Sequence, residues 1–184
     1  MTDLALLDTF DLDLPPIPGV RFIGFGHKAR HGKDEAVRAL MNLDPRRMHR
    51  FAFADALKAH CRVAHGMTVK DGTLLQLHGH GLRGEDPNVW IKALYYHIDE
   101  LRPEIALISD VRYKNEADFI KKMGGTMVRV RRWVDGEPFV DPNRNASHIS
   151  EVHLNDYKFD YTIENDGALG DLYCKVTGLY YLLG

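Results

Sequence analysis

A segment rich in glycine and basic side chains, residues 24–34, is the first candidate for chemistry. It reads Gly-Phe-Gly-His-Lys-Ala-Arg-His-Gly-Lys-Asp and stands between an apolar run, residues 20–25, and a helical pattern, residues 34–43. Backbone N–H groups in such a loop converge on phosphate oxygens, and the N-terminus of the following helix favours an anion. Lys33 would place its positive charge on the terminal phosphates. The segment therefore predicts a phosphate-binding loop.

The loop departs at two positions from the pattern G-x-x-x-x-G-K-[ST]. His27 stands where the first glycine is expected, with Gly26 one residue early, and Asp34 replaces the hydroxyl residue that normally faces Mg²⁺. The order of strand, loop, Gly-Lys and helix is nevertheless the order that phosphate binding requires. An ordinary strand-to-helix turn with surface Lys and Arg is the alternative.

A second candidate follows the most apolar run of the chain, residues 105–109. Asp110 and Arg112 come directly after this run, so a parallel sheet would bring them to the same edge as the loop. A carboxylate there can hold Mg²⁺ directly or through water, and an arginine can clamp a phosphate with two hydrogen bonds. The alternative is that Asp110 caps the following helix and pairs with Arg112.

Basic residues also follow a later strand. Strand alternation places Arg129 and Arg131 on one face and Arg132 on the other. Residues 135–151, rich in Asn, Asp, Pro and Gly, are predicted to form a mobile lid, and Arg144 within it is a candidate phosphate contact. A lid arginine that reaches the transferring phosphoryl group only on closure would stabilise charge, and closure would exclude water.

The histidines raise the question of a metal site. His60 and His65 lie near Cys61, and His78 and His80 belong to a His-Gly-His-Gly sequence. These spacings match no standard zinc arrangement, and a glycine-rich loop is too flexible to hold ligands in place. The sequence therefore does not favour a zinc site.

The elements that must position these residues alternate between strands and helices. The predicted strands are residues 20–25, 49–53, 105–109, 127–131 and 160–163. The predicted helices are residues 34–43, 54–65, 73–78, 88–101, 114–123 and 168–183, with a long loop at residues 78–87. Helices that connect successive strands indicate a mainly parallel sheet and hence an α/β fold. Ligands of such sheets bind beyond the carboxyl ends of the strands.

Composition and charge bound the class of protein. The 184 residues carry 24 Lys+Arg against 26 Asp+Glu, and 45% are hydrophobic, which excludes wholesale disorder. The net charge of −2 argues against binding of polymeric nucleic acid through bulk positive charge. Two cysteines cannot form a disulfide framework, and no apolar run has the length of a membrane span, so a cytoplasmic location is expected. Residues 1–18, with four Asp and three Pro, predict an arm outside a single domain of residues 19–184.

The motifs together resemble a known family. Residues 28–34, Lys-Ala-Arg-His-Gly-Lys-Asp, resemble the K-x-x-x-G-K-D loop of phage-type deoxynucleoside monophosphate kinases, which are P-loop kinases. Six further segments agree with that family in order: residues 51–58, 74–76 with 86–90, 109–117, 124–132, 148–151 and 163–167. The resemblance spans about residues 20–183. The departures are His27 and Glu35, where the family usually has glycine and threonine.

The resemblance implies a P-loop kinase fold, a lid at about residues 133–151, and phosphoryl transfer from ATP to a deoxynucleoside 5′-monophosphate with Mg²⁺ as cofactor. It implies catalytic roles for Lys33, Arg112 and Arg131, and metal ligation by Asp34 and Asp110. The implied ATP-binding residues are Lys28, Ala29, Arg30, His31, Gly32, Lys33, Asp34 and Arg132. The implied acceptor-binding residues are Asp55, Lys58, Gln76, Arg83, Trp90, Arg112, His148, Ser150 and Glu151.

Several acceptor assignments have structural alternatives. Asp55 and Lys58 suit an N-cap and a solvated helix face, Trp90 suits an apolar core, and Glu151 suits a capping box. Arg83 stands among glycines and has no packing reason to be there.

Alternatives also remain for the protein as a whole. Another small-molecule phosphate kinase, such as a phosphomevalonate or dephospho-CoA kinase, and a nucleotide-binding module without turnover both fit a phosphate loop. Members of the resembled family are often dimers, so a homodimer is expected. If the protein is encoded by a bacteriophage, its location is the host cytoplasm.

Overall fold

The structure is a computed structural model that describes residues 12–69, 71–142 and 145–183. For Gln76 it describes the backbone alone. Residues 1–11, which make up most of the expected arm, and the candidate phosphate contact Arg144 lie outside the described residues. Every other site residue named above falls inside them.

Five parallel strands form the centre of the fold within the described residues, in the order β2-β3-β1-β4-β6. They are β1 (Arg21–Gly26), β2 (Met48–Phe51), β3 (Ile105–Val111), β4 (Thr126–Val134) and β6 (Tyr161–Asn165). The two-residue strand β5 (Glu137–Pro138), which the sequence did not predict, pairs antiparallel with the end of β4. The predicted α/β fold with a mainly parallel sheet is confirmed. Because β1 and β3 are neighbours, the loop after β1 and the residues after β3 meet at one edge.

The helices of the described chain cover both faces of the sheet. They are α1 (Lys33–Leu43), α2 (Phe53–His65), α3 (Gly72–Glu85), α4 (Val89–Leu101), α5 (Lys114–Lys122), α6 (Ile149–Val152) and α7 (Leu169–Leu183). One apolar core joins α1 and α7 to the sheet, and the other joins α2, α4 and α5 to it. This architecture is consistent with a P-loop kinase-like fold. None of these helices is long and apolar enough to cross a membrane.

Helix α3 shows that the prediction of a loop at residues 78–87 was wrong for residues 78–85, whereas residues 86–87 do connect α3 to α4. The sequence pattern ends a helix at residue 78 because three glycines follow, and each glycine weakens a helix by about 1 kcal/mol. The Asp71 carboxylate offsets part of that cost by accepting hydrogen bonds from two amides of the first turn, at 2.9 and 3.0 Å. Gly79 also lets α3 approach α2 closely, since a Cβ there would lie 2.9 Å from Leu57 Cδ2. Packing between helices therefore overrides the weak local preference.

The described end of the expected arm packs against the core. Leu14 and Ile17 are buried in the same apolar cluster as α4. The Tyr95 hydroxyl of α4 donates a hydrogen bond to the carbonyl of Pro15, at 3.1 Å. These contacts attach the segment that precedes β1 to the face of the sheet covered by α2, α4 and α5.

Candidate active site

The loop between β1 and α1 has an uncommon backbone conformation. His27, Arg30 and Gly32 have φ angles of 88°, 56° and 102°, all in the left-handed region. That region costs a residue with a Cβ about 1–2 kcal/mol, whereas glycine enters it freely. His27 therefore holds a glycine-like backbone conformation at the position where the phosphate-loop pattern has glycine. Gly32 directly precedes α1, so the loop delivers the helix N-terminus to the edge of the sheet.

Lys33, the first residue of α1, turns its side chain back beneath this loop. Its Nζ donates hydrogen bonds to the carbonyls of His27, at 3.3 Å, and Lys28. The side chain is buried, and this burial lowers the pKa of Lys33 to about 7, with the charge of Arg112 adding to the shift. The nearby carboxylates of Asp34, Glu151 and Asp110 act in the opposite direction. An incoming anion would raise the pKa of this buried amine and so favour its protonated form.

Two histidine rings of the loop tie it to later parts of the chain. His31 Nε2 donates to the carbonyl of Phe139 while its Nδ1 accepts from the Arg132 amide, both at 3.1 Å. His27 Nε2 lies 3.1 Å from Asn155 Oδ1. Burial lowers the pKa of both rings, to about 4 for His27. Both rings are therefore neutral at pH 7, and their role here is to position the loop.

A cleft of about 570 Å³ opens between the N-terminus of α1 and the carboxyl ends of β3, β4 and β6. That volume is within the range that small-molecule ligands occupy. Seven of the residues that the sequence predicted for the site line it together: Arg30, Gly32, Lys33, Asp34, Asp110, Arg112 and Arg132. Of these, Arg30 also pairs with Asp141, at 3.3 Å. The cleft thus combines basic side chains with three carboxylates, since Glu35 lines it as well.

Asp110 makes structural contacts with the start of α2. Its two carboxylate oxygens accept hydrogen bonds from the amides of Phe53, at 2.8 Å, and Ala54, at 2.9 Å. Burial raises the pKa of Asp110, and these two hydrogen bonds oppose the rise. The sequence alternative had Asp110 capping the helix after it, α5, but it caps α2. The preceding residue, Ser109, lines the cleft, and its buried Oγ has no hydrogen-bond partner among the described residues, a feature that sequence reasoning missed.

Glu151 links the predicted lid to the loop and to β3. One of its carboxylate oxygens accepts from the Ala29 amide, and the other pairs with Arg112 Nη1, both at 3.0 Å. Its short helix α6 is capped by His148, whose Nδ1 lies 2.9 Å from Ser150 Oγ and accepts from the Ser150 amide at 3.2 Å. One amide of the loop and one N–H group of Arg112 therefore already donate hydrogen bonds to the carboxylate of Glu151.

A buried carboxylate that sequence reasoning missed, Glu116, connects Arg83 to Arg112. Glu116 Oε2 accepts from the Arg112 amide at 2.8 Å, and Arg83 Nη2 lies 3.4 Å from its other oxygen. The Arg83 guanidinium also stacks on the Tyr113 ring, 4.5 Å from its centroid. Burial raises the pKa of Glu116 to about 7, against the charge of Arg83. Glu116 sits in the first turn of α5, so a capping box was its only sequence signal.

The arginines of β4 separate into different environments. Arg132 lines the cleft and stacks on Phe139, with its guanidinium 4.7 Å from the ring centroid. Arg131 stacks on Trp133 and lies 3.5 Å from Glu164 of β6, outside the residues that line the cleft. Arg129 donates to the carbonyl of Tyr157 at 3.0 Å. The structure thus brings Arg132, and not Arg131, to the cleft.

The remaining acceptor candidates lie away from the cleft. Asp55 pairs with Lys58, at 2.9 Å, and with Arg50, at 2.8 Å; these contacts lower the pKa of Asp55 although burial acts to raise it. Trp90 is buried in the apolar core, and its Nε1 has no hydrogen-bond partner among the described residues. Gln76 is part of α3. Their contacts with an acceptor stay predictions.

Comparison with known proteins finds similarity over part of the chain. A family model described as deoxynucleotide monophosphate kinase matches residues 86–176. A protein of Acanthamoeba polyphaga mimivirus named "Putative deoxynucleotide monophosphate kinase" is 35% identical over 71 residues, 38% of this chain and 33% of the relative. The match thus spans about a third of the length of that curated relative, which comes from a giant virus.

The matched residues include several from the site. Asp110, Arg112, Arg131, Arg132 and Glu151 fall inside the match, whereas the phosphate loop precedes it. The family resemblance inferred from the sequence is confirmed for this region. Residues 86–176, just under half of the chain, are therefore similar to the deoxynucleotide monophosphate kinase family.

Proposed function

We propose that this protein transfers the γ-phosphoryl group of ATP to a deoxynucleoside 5′-monophosphate, giving ADP and the diphosphate. The observation that carries the proposal is the shared cleft of Lys33, Asp34, Asp110, Arg112 and Arg132, in a chain matched by the family model. An oxygen of the acceptor phosphate forms a bond to the γ-phosphorus while the bond from that phosphorus to the β,γ-bridging oxygen breaks. The acceptor phosphate is itself the nucleophile, so no general base is required.

The loop is the proposed ATP site. Amides of residues 28–34 and the N-terminus of α1 would hold the phosphates, for which the Ala29 amide must leave Glu151, and Lys33 would neutralise their charge. The other proposed contacts are the side chains of Lys28, Arg30 and Arg132. For this role Lys33 must exchange the carbonyls of His27 and Lys28 for phosphate oxygens. Its burial favours that exchange, because a buried amine gains more from a charged partner than an exposed one.

The donor set of the cleft fits Mg²⁺. Asp34 and Asp110 supply hard oxygen ligands, and both carboxylate oxygens of Asp110 keep a lone pair beyond the hydrogen bonds to α2. Ser109, whose buried Oγ has no hydrogen-bond partner among the described residues, lines the same cleft. Bound there, Mg²⁺ would neutralise charge on the phosphates of ATP. Asp110 would also keep the N-terminus of α2 in place.

Arg112 is the proposed arginine between the two phosphates. It lines the cleft and is held through its amide by Glu116, which also contacts the proposed acceptor residue Arg83. Arg131 keeps its proposed catalytic role, for which it must leave Glu164. The other proposed acceptor contacts are Asp55, Lys58, Gln76, Trp90, His148, Ser150 and Glu151.

A coupled ATP assay against the four common deoxynucleoside monophosphates, 5-hydroxymethyl-dCMP, phosphomevalonate and dephospho-CoA tests the proposal. We expect turnover of at least one deoxynucleotide, with kcat reduced by orders of magnitude in Lys33→Ala. Turnover of phosphomevalonate or dephospho-CoA alone would mean that the acceptor is that compound and not a deoxynucleoside monophosphate. ATP binding without turnover of any acceptor would favour a nucleotide-binding module.

The setting of this activity is also proposed. A cytoplasmic location is supported by two free cysteines, Cys61 and Cys174. A monomeric nucleotide rather than a nucleic-acid polymer is supported as substrate by the net charge of −2. A homodimer and a bacteriophage origin rest on the family resemblance alone, and sedimentation of the purified chain would test the dimer.

A further inference from the structure

Three histidines on α2 and α3 converge at a surface outside the cleft. His60 and His65 belong to α2, His65 being its last residue, and His78 belongs to α3. Each offers an imidazole nitrogen, and these three nitrogens lie within 4.8 Å of one another. The ring centroids of His65 and His78 are 4.0 Å apart, and His60 lies 6.0 Å from His78 and 6.4 Å from His65.

The fold produces this cluster through the close contact of two helices. Gly79 allows α3 to approach Leu57 of α2, and the residue next to Gly79 is His78. The Asp71 cap fixes where α3 begins. On the other helix, the His60 ring lies 6.5 Å from the buried Trp90 ring, which limits its movement on that side. The sequence did not favour a metal here because the spacings match no standard zinc arrangement and the His-Gly-His-Gly segment was predicted to be flexible, but that segment lies on the capped helix α3.

The chemistry of the cluster is that of a metal site. Among the described residues, none of the three imidazoles has a hydrogen-bond or ion-pair partner, so their nitrogens remain available. Imidazole nitrogen suits Zn²⁺, Ni²⁺ and Cu²⁺, whereas Mg²⁺ prefers oxygen ligands. Nitrogen ligands at about 2.0–2.1 Å from a tetrahedral zinc ion lie about 3.3 Å apart, so side-chain rotation alone would close the site.

We propose that His60, His65 and His78 bind a divalent transition-metal ion such as Zn²⁺, with water at the fourth position. His60 and His65 are exposed and His78 is half-buried, so the ion enters from solvent without opening the fold. Three ligands from two helices cross-link the end of α2 to α3. The ion therefore stabilises the helix pair that carries the proposed acceptor residues Asp55 and Arg83, although the metal site does not depend on the proposed kinase activity.

Metal binding is measured on tag-free, metal-stripped protein without nucleotide. Calorimetric titration with Zn²⁺ and visible absorption with Co²⁺ should both give one equivalent per chain. The absorption of the bound Co²⁺ should have the intensity that is typical of a four-coordinate ion with nitrogen ligands. Zn²⁺ should also raise the melting temperature. His78→Ala should weaken Zn²⁺ binding by more than about tenfold, because it removes one of three ligands.

A matched control lies on the same helix. His80→Ala changes an exposed histidine two residues from His78 and should leave Zn²⁺ affinity unchanged. His65→Ala provides a second ligand variant on the other helix, and circular dichroism checks that each variant folds. Zn²⁺ binding that is absent in the wild type, unchanged in both ligand variants, or equally weakened by His80→Ala would overturn the proposal.

Discussion

Lys33 concentrates the chemistry of the site in one titratable group. Its amine is buried, its pKa is lowered to about 7, and its hydrogen bonds go to carbonyls of its own loop. A phosphate group in the cleft would stabilise the protonated amine and raise that pKa. The group that we propose to bind phosphate in this loop would therefore also link that binding to pH.

We predict that ATP binding takes up a proton at Lys33. In the free protein this amine loses its proton above about pH 7, and the bound form requires the proton, so ATP affinity should fall as pH rises from 7.5 to 9. The fall should approach tenfold per pH unit, and calorimetry in buffers of different ionisation enthalpy should show the uptake. Over this range the phosphates of ATP are already ionised.

Lys33→Met is the control for that titration. It should bind ATP more weakly at every pH and show a flat affinity profile between pH 7.5 and 9. A profile that stays steep in Lys33→Met would assign the proton to another group.

Single residues of the site were predictable where a motif surrounds them. Asp110 ends an apolar run and Lys33 begins the helix that follows another, so their places at the carboxyl edge of the sheet could be inferred. Glu116 and Ser109 could not be inferred as site residues, because their significance comes from burial and from partners on other elements. His27 looked like a departure from the pattern, but its φ of 88° preserves the glycine conformation.

At the scale of elements, the central parallel strands were predictable, whereas the short strand β5 and the second half of α3 were not. Strands β1 and β3 are short apolar runs that are buried on both faces, so the local sequence alone carries their signal. Helix α3 depends on a cap at Asp71 and on packing against Leu57. A prediction from the local sequence gives more weight to the three glycines than to either of these contacts. The same contact brings His78 toward His65, so the missed helix hid the histidine cluster.

Alanine substitutions in α3 test whether Gly79 is a packing contact. Gly81 has open space where a Cβ would stand, so Gly81→Ala should stabilise the protein by up to about 1 kcal/mol through helix propensity. Gly79→Ala should gain clearly less, because its Cβ would lie 2.9 Å from Leu57 Cδ2 and force that side chain to move. Chemical denaturation measures both changes. Equal gains in the free energy of unfolding would mean that α3 does not pack closely on α2. No gain for Gly81→Ala would mean that residue 81 lies in a loop and not in a helix.

At the scale of the whole molecule, the segment predicted as a lid lies against the phosphate loop. Three contacts join them: Arg30 with Asp141, His31 with the Phe139 carbonyl, and the Ala29 amide with Glu151. Each joins residues more than one hundred positions apart, so no local pattern could have revealed it. Because the loop and this segment share hydrogen bonds, a ligand that reorganises one must also affect the other.

Hydrogen exchange in His31→Ala tests that coupling. The His31 ring bridges the Arg132 amide and the Phe139 carbonyl, so its removal should release the loop, the end of β4 and the segment after β5 together. Loss of hydrogen bonds that each stabilise by about 1 kcal/mol should speed amide exchange about fivefold to tenfold in all three places. His49→Ala, an exposed substitution on β2, should change none of them. Faster exchange confined to the loop would mean that the lid segment is held independently, and it would then open without any signal from the bound phosphate.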